Sequence, residues 1–163
     1  MATLYHQDIV AWANEQAALL RSGMLSAIDI ENIAEEIEDV GKSEQRELAS
    51  RMVVLLAHLL KWQFQPLFRS KSWVRTIAVQ RRDVRYALSH APSLQGWFDD
   101  VEWMTLLWDK AVIMASRETT IDADLFPETC PWTMEEVLGD EFFARLLGQA
   151  TSPPCRLSRA SLV

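Results

Sequence analysis

Glu31, Glu35 and Glu38 stand at i, i+4 and i+7, a spacing that sets three carboxylates on one face of a helix. Carboxylates so placed can hold a hard cation, and helical di-iron sites use inward-facing glutamates. Those sites also need a Glu-x-x-His pair, and none of His6, His58 or His90 has Asp or Glu three or four residues before it. The face therefore reads as solvated or paired with an arginine, Arg81 on the third helix being the natural partner, and no metal is expected. Desolvated, such a pair would fix helix register more than add net stability. A second constellation is Arg51-Met-Val-Val-Leu-Leu-Ala-His58. An arginine and a histidine seven apart share a helix flank and could set a phosphate-binding cation beside a general acid or base, as metal-independent RNA cleavage needs. Against this, Glu47 lies four residues before Arg51, at the spacing of an ordinary helical ion pair, and a core histidine with one satisfied hydrogen bond is the common fate of a residue such as His58.

The chain is also rich in tryptophan, with seven in 163 residues. Their helical spacing makes most of them core, although Trp73 beside Arg75 could stack a base or ring. Cys130, in Cys-Pro-Trp, has no His or acid at a usable helical spacing and reads as a buried thiol. Phosphate-binding glycine loops, the GxSxG elbow and the HExxH zinc motif are absent from the sequence. No cofactor is expected.

Length and composition bound what such residues could serve. At 163 residues, 49% hydrophobic and only 11 glycines plus prolines, the chain suits one globular domain and excludes collagen-like or wholly disordered classes. Acids exceed bases 23 to 16, so a basic surface that tracks phosphates is not expected. The charge is partitioned: residues 1–47 carry −7, 48–90 carry +7, 91–150 carry −9 and the last thirteen +2. A basic middle between acidic flanks reads as segments that neutralise one another on packing. The longest apolar run, Met52 to Leu60, is nine residues, far short of the roughly 20 a spanning helix needs. The start of the chain lacks a signal-peptide pattern. Two cysteines fit a cytoplasmic protein.

The elements that must position these side chains read as helical nearly throughout. A first helix is expected from about Leu4 to Ser22, stopped by Gly23, with Ile9, Trp12, Ala13, Gln16 and Leu20 as its buried stripe. The second opens at Ser26-Ala-Ile-Asp29, a capping-box spacing. With Ile30 taken as zero and about 100° per residue, Ile33, Ile37 and Val40 fall within about 80° of it. Beyond Gly41, Leu48, Met52, Leu55, Leu59 and Trp62 keep that direction, which predicts one long helix over about 28–65, ended by Pro66. It should outreach a compact globule, bend near Gly41, or extend into a partner. Its second half should be buried almost all round and form the central element. A third helix covers Ser72 to Ala91, with Trp73, Ile77, Val84, Leu88 and Ala91 inward, Gln80 and Arg81 flanking, and Arg75, Arg82 and Arg85 outward. A fourth runs from Ser93 to Thr119 through Trp97, Phe98, Val101, Met104, Trp108 and Val112. A proline-rich loop follows, and the capping box Thr133–Glu136 opens one or two short helices through Gln149. The fold class is all-α: one helical bundle of five to six helices over residues 3–149, with 150–163 a disordered tail.

Two resemblances bear on function. The Arg51–His58 spacing resembles the Arg-x4–6-His motif of HEPN-type helical ribonucleases, which are also helical bundles. More extensive are Trp12, Leu25 to Gly41, Leu55-Leu-Ala-His-Leu-Leu-Lys-Trp62 with Gln65-Pro66, Ser72-Trp73, Thr76-Ile77, Gln80-Arg81, Pro92-Ser93-Leu94 and Pro127-Glu-Thr-Cys-Pro-Trp132. Over about residues 3 to 145 these resemble the family called domain of unknown function 29. That resemblance implies a small helical bacterial protein and brings no established activity. The basic tail departs from the family pattern.

The reading that follows is a non-enzymatic cytoplasmic helical module. It binds a protein partner, or a second copy of itself, through the long helix and the acidic face Glu31, Glu35 and Glu38. The alternative is a nucleic-acid-acting, ribonuclease-like bundle using Arg51 and His58. Neither membrane nor nucleic acid is the expected partner.

Overall fold

The computed structural model describes residues 5–141. They form five α-helices joined by short 3-10 turns, without a β-strand among the described residues. The all-α reading therefore holds. The chain divides between Glu47 and Leu48 into two compact units.

The first unit is a helical hairpin of α1 (Ile9–Arg21) and the N-terminal part of α2 (Ile30–Phe64). Asp8 starts α1, its carboxylate taking the Ala11 N–H at 2.9 Å. Gly23 ends it in the left-handed region at φ 73°. Met24 N–H bonds back to Leu19 and Gly23 N–H to Leu20, the Schellman arrangement that a glycine makes cheap. Of the expected α1 stripe only Trp12 and Gln16 are buried; Ile9, Ala13 and Leu20 are exposed. The correction has a physical reason. One neighbouring helix covers a single narrow strip of α1, and that strip is centred on the largest side chain.

Asp29 organises the hairpin. Its Oδ2 accepts the Trp12 indole N–H at 3.2 Å and the Asn32 side-chain amide at 2.7 Å. Its own N–H donates to Gln16 Oε1 at 2.8 Å. It also caps α2 weakly through the Asn32 N–H at 3.4 Å. Ser26, expected to share a capping box, lies instead in the exposed 3-10 turn Leu25–Ala27.

Helix α2 matches the predicted 28–65 to within two residues at its start and one at its end, and it stays helical through Gly41. At 1.5 Å per residue it is about 52 Å long. Its second half is the centre of the second unit. Leu48, Met52, Leu55, Leu56, Ala57, Leu59 and Leu60 have no solvent exposure, as apolarity around most of the circumference requires. Pro66 and the turn Pro66–Phe68 stop it.

Helix α3 (Lys71–His90), capped by Ser70, returns antiparallel. Arg51 meets Asp83 and Lys61 meets Trp73, pairs that fix one register along the two helices. The expected fourth helix is two elements: a 3-10 helix over Pro92–Asp99, then α4 (Val101–Thr119). The break falls where the Asp100 carboxylate takes the Trp103 N–H at 2.9 Å and begins a new helix. Val101, placed in the core by the single-helix reading, is the first residue of α4 and exposed. Helix α4 brings its C-terminal end to that of α2, where Gln65 Nε2 donates to the Thr119 carbonyl at 3.0 Å.

The proline-rich segment closes over this core. Phe126 packs edge-on against Phe64, Trp132 against Trp108, and the Trp108 indole donates to the Pro127 carbonyl at 2.9 Å. The Thr133–Glu136 capping box forms reciprocally and opens α5 (Met134–Leu138). Helix α5 ends at Leu138, where Gly139 is extended, so the expected helix does not continue through 139–141; residues 142–149 and the tail 150–163 lie outside the described residues.

Candidate functional site

Arg51 and His58 stand seven residues apart on α2, about 10.5 Å along its axis. Arg51 Nη1 donates to Asp83 Oδ2 of α3 at 2.7 Å. A carboxylate 32 residues away thus holds the guanidinium. His58 is half-buried, and its Nδ1 lies 2.9 Å from the Val54 carbonyl one turn back. A carbonyl can only accept, so Nδ1 carries the proton. Burial pushes the imidazole pKa below its ordinary value, the Lys61 cation adds to this, and the Val54 carbonyl and Glu118 oppose it. At neutral pH His58 is an uncharged imidazole tied to its own helix. Each of the two side chains is engaged with the protein.

One turn further, Lys61 presents a feature the sequence reading missed. It is 5% exposed, yet its Nζ reaches Glu118 Oε2 at 2.5 Å and lies 4.6 Å from the centre of the Trp73 ring. A lysine within an otherwise apolar helical segment was the available signal, since a buried cation requires a counterion. Arg69 does something similar at the surface, stacking on Trp62 and donating to its carbonyl at 2.8 Å.

Arg81, at the edge of the α3 stripe as expected, is 2% exposed. Its Nε donates to the Val137 carbonyl of α5 at 2.8 Å. Desolvation lowers its pKa, which Asp140 counteracts. Beside it Arg85 binds Asp140 at 2.9 Å and also donates to the Leu138 carbonyl. Two arginines of α3 thus satisfy carbonyls at the end of α5, where free carbonyls favour cations. Cys130 is half-buried, its thiol donates to the Trp132 carbonyl, and desolvation pushes its pKa up. A thiol so placed is a poor nucleophile.

The acidic face lies in the first unit. Glu31, Glu35 and Glu38 are all exposed on α2. Lys42 joins Asp39 at 3.1 Å and Glu38 at 3.7 Å. Glu36, on another side of the helix, accepts the Tyr5 hydroxyl at 2.5 Å, and this bond pushes the Tyr5 pKa up to about 12. Among the described residues no group of three His, Cys, Asp or Glu side chains stands close enough to hold a metal ion. Beside the glutamates, Ile30, Ile37 and Val40 are 66%, 67% and 65% exposed. Ile33, of the same apolar stripe, is half-buried. Also among the described residues, no helix is long and apolar enough to cross a membrane.

Neither the curated proteins nor the solved structures contain a match to the chain. A family model, the domain of unknown function DUF29, matches residues 4–143. That span takes in all five helices, the α2 face and the Lys61 and Arg81 clusters, and the chain belongs to this family of uncharacterised domains.

Proposed function

We propose that the protein is a non-enzymatic interaction module whose contact surface is the N-terminal part of α2. One observation carries this reading: the large aliphatic side chains of Ile30, Ile37 and Val40 stand about two-thirds exposed within about 80° of arc on one helix. Scattered exposed apolar residues are ordinary, but a contiguous apolar row rimmed by charge marks a protein contact. Burying the three against a partner would contribute on the order of 3–5 kcal/mol of transfer free energy. Few contacts within the first unit compete for that row, because its own burial rests on Trp12 and Gln16. The composition, with two cysteines in 163 residues, supports a cytoplasmic setting.

The nuclease alternative gains no support from the geometry, since Arg51 is paired with Asp83 and His58 is bonded to Val54. The test uses tagged full-length chain in two arms. In affinity capture from host lysate, proteins retained by wild type should be lost with Ile37→Asp and kept with His58→Ala. Incubated with total RNA, wild type and His58→Ala should leave the RNA equally intact. Capture that ignores Ile37→Asp, or RNA cleavage that disappears with His58→Ala, overturns the proposal.

A further inference from the structure

The geometry points to a cationic amphipathic helix as the occupant of this α2 face; the inference rests on the interaction reading above and names the partner's chemistry. At about 100° per residue, Ile30, Ala34, Ile37 and Gly41 fall within an arc of about 60°. Ile30, Ala34, Ile37 and Gly41 are all exposed, and a Cβ built on Gly41 would meet nothing within 4 Å. Large and small residues alternate along the row at i, i+4, i+7 and i+11. Such a ridge lets a second helix approach to the 8–10 Å of ordinary helix packing. The row extends about 16 Å, more than the about 10.5 Å over which a docked helix places i, i+3, i+4 and i+7 anchors.

Charge selects among possible helices. Glu31, Glu35 and Glu38 border the row on one side, and Val40 and Glu44 stand on the other. Residues 30–47 contain seven acids and two bases, and the Lys42 charge is already shared between Glu38 and Asp39. A second copy offering the same face would bring like charge against like charge, which costs several kcal/mol across an interface. A helix with an apolar stripe edged by lysine or arginine instead meets Glu31, Glu35 and Glu38 along one border and Glu44 past the end of the other. Its affinity should fall with salt, because these charges are solvent-exposed.

The experiment uses the full chain and two dye-labelled synthetic helices that share one leucine stripe, one flanked by lysines and the other by glutamates. Binding is read by fluorescence anisotropy, with light scattering to report oligomeric state. The lysine peptide should bind at least tenfold more tightly than the glutamate peptide, and the preference should shrink as salt rises. Ile37→Asp, and separately the triple change Glu31→Lys, Glu35→Lys, Glu38→Lys, should each weaken the lysine peptide at least tenfold while circular dichroism keeps its helical signal. If Ile37→Asp loses that signal, the triple variant decides. Equal binding of the two peptides, or unaltered binding to the triple variant, overturns the cationic partner. A wild-type dimer abolished by Ile37→Asp also overturns it, while leaving the face as an interaction surface for a second copy. A monomeric chain that binds neither peptide overturns both the inference and the reading beneath it.

Discussion

Substituting the two ends of the Lys61–Glu118 pair should have unequal consequences. Lys61 is 5% exposed, whereas the Glu118 side chain is 44% exposed. Glu118→Gln preserves shape but leaves the lysine charge enclosed by α2, α3 and α4. Removing one member of a fully buried pair costs about 3–5 kcal/mol. Here water reaches the Glu118 side, and the Trp73 face still attracts the ammonium by about 1 kcal/mol. The expected loss is therefore about 1.5–2.5 kcal/mol. For a domain of this size that lowers Tm by about 3–10 °C. Lys61→Met keeps the aliphatic stem in its slot and returns Glu118 to water, so it should cost less than about 1 kcal/mol. The double variant should resemble Lys61→Met alone, because without the cation the glutamate has nothing to compensate. Thermal and urea unfolding, followed by far-ultraviolet circular dichroism at neutral pH, measure all three. A larger loss for Lys61→Met than for Glu118→Gln, or an inert Glu118→Gln, would refute the reasoning.

Gly41→Ala should stabilise the protein by about 0.5–1 kcal/mol, read as a rise in urea midpoint, because the site is helical, exposed and open around the new methyl. Destabilisation there would mean that α2 is not continuous. The lowered His58 pKa gives a pH dependence whose sign follows from linkage. The unfolded imidazole protonates first, so stability is full above about pH 6.5 and declines as pH falls from there through the folded value. His58→Gln should remove that decline from a urea titration repeated between neutral and mildly acidic pH, and an unchanged slope would count against it. Thr133→Ala removes the hydroxyl that accepts the Glu136 N–H at 3.2 Å. A loss of about 0.5–2 kcal/mol is expected in the same unfolding measurements.

The course of α2 was legible because a helix carries its apolar direction along its whole length, and Leu48 continues the angle set by Ile30. Whether that direction is covered was not legible. Periodicity names the apolar face of a helix, while burial of Leu48 and exposure of Ile37 depend on which other elements pack there. Arg81 shows the converse: a charged residue at the edge of a stripe looks like a flank. Its long stem nevertheless carries the guanidinium inward to an α5 carbonyl 56 residues away. Arg51 was legible as a cation needing a carboxylate, but its bond to Asp83 is set by the α2–α3 register, which no local spacing encodes. The break before α4 did have a local signal, Asp100 three residues before Trp103, and the apolar periodicity running through Trp97 and Val101 outweighed it. Asp29 was expected as the partner of Ser26 in a capping box, whereas it caps α2 itself, and its second role, joining Trp12 to Gln16, required the hairpin.

Helix α2 is enclosed over its second half, while Ile30, Ile37 and Val40 stand exposed on its first. Hydrogen exchange of the free, full-length chain measures that directly along α2. Amides in residues 34–46 should exchange at least tenfold faster than those in 52–62, since local opening of a helix with few buried contacts precedes opening of the core. Equal, strong protection from one end of α2 to the other would show that Ile30, Ile37 and Val40 are already covered, and would remove the ground for a docking face there.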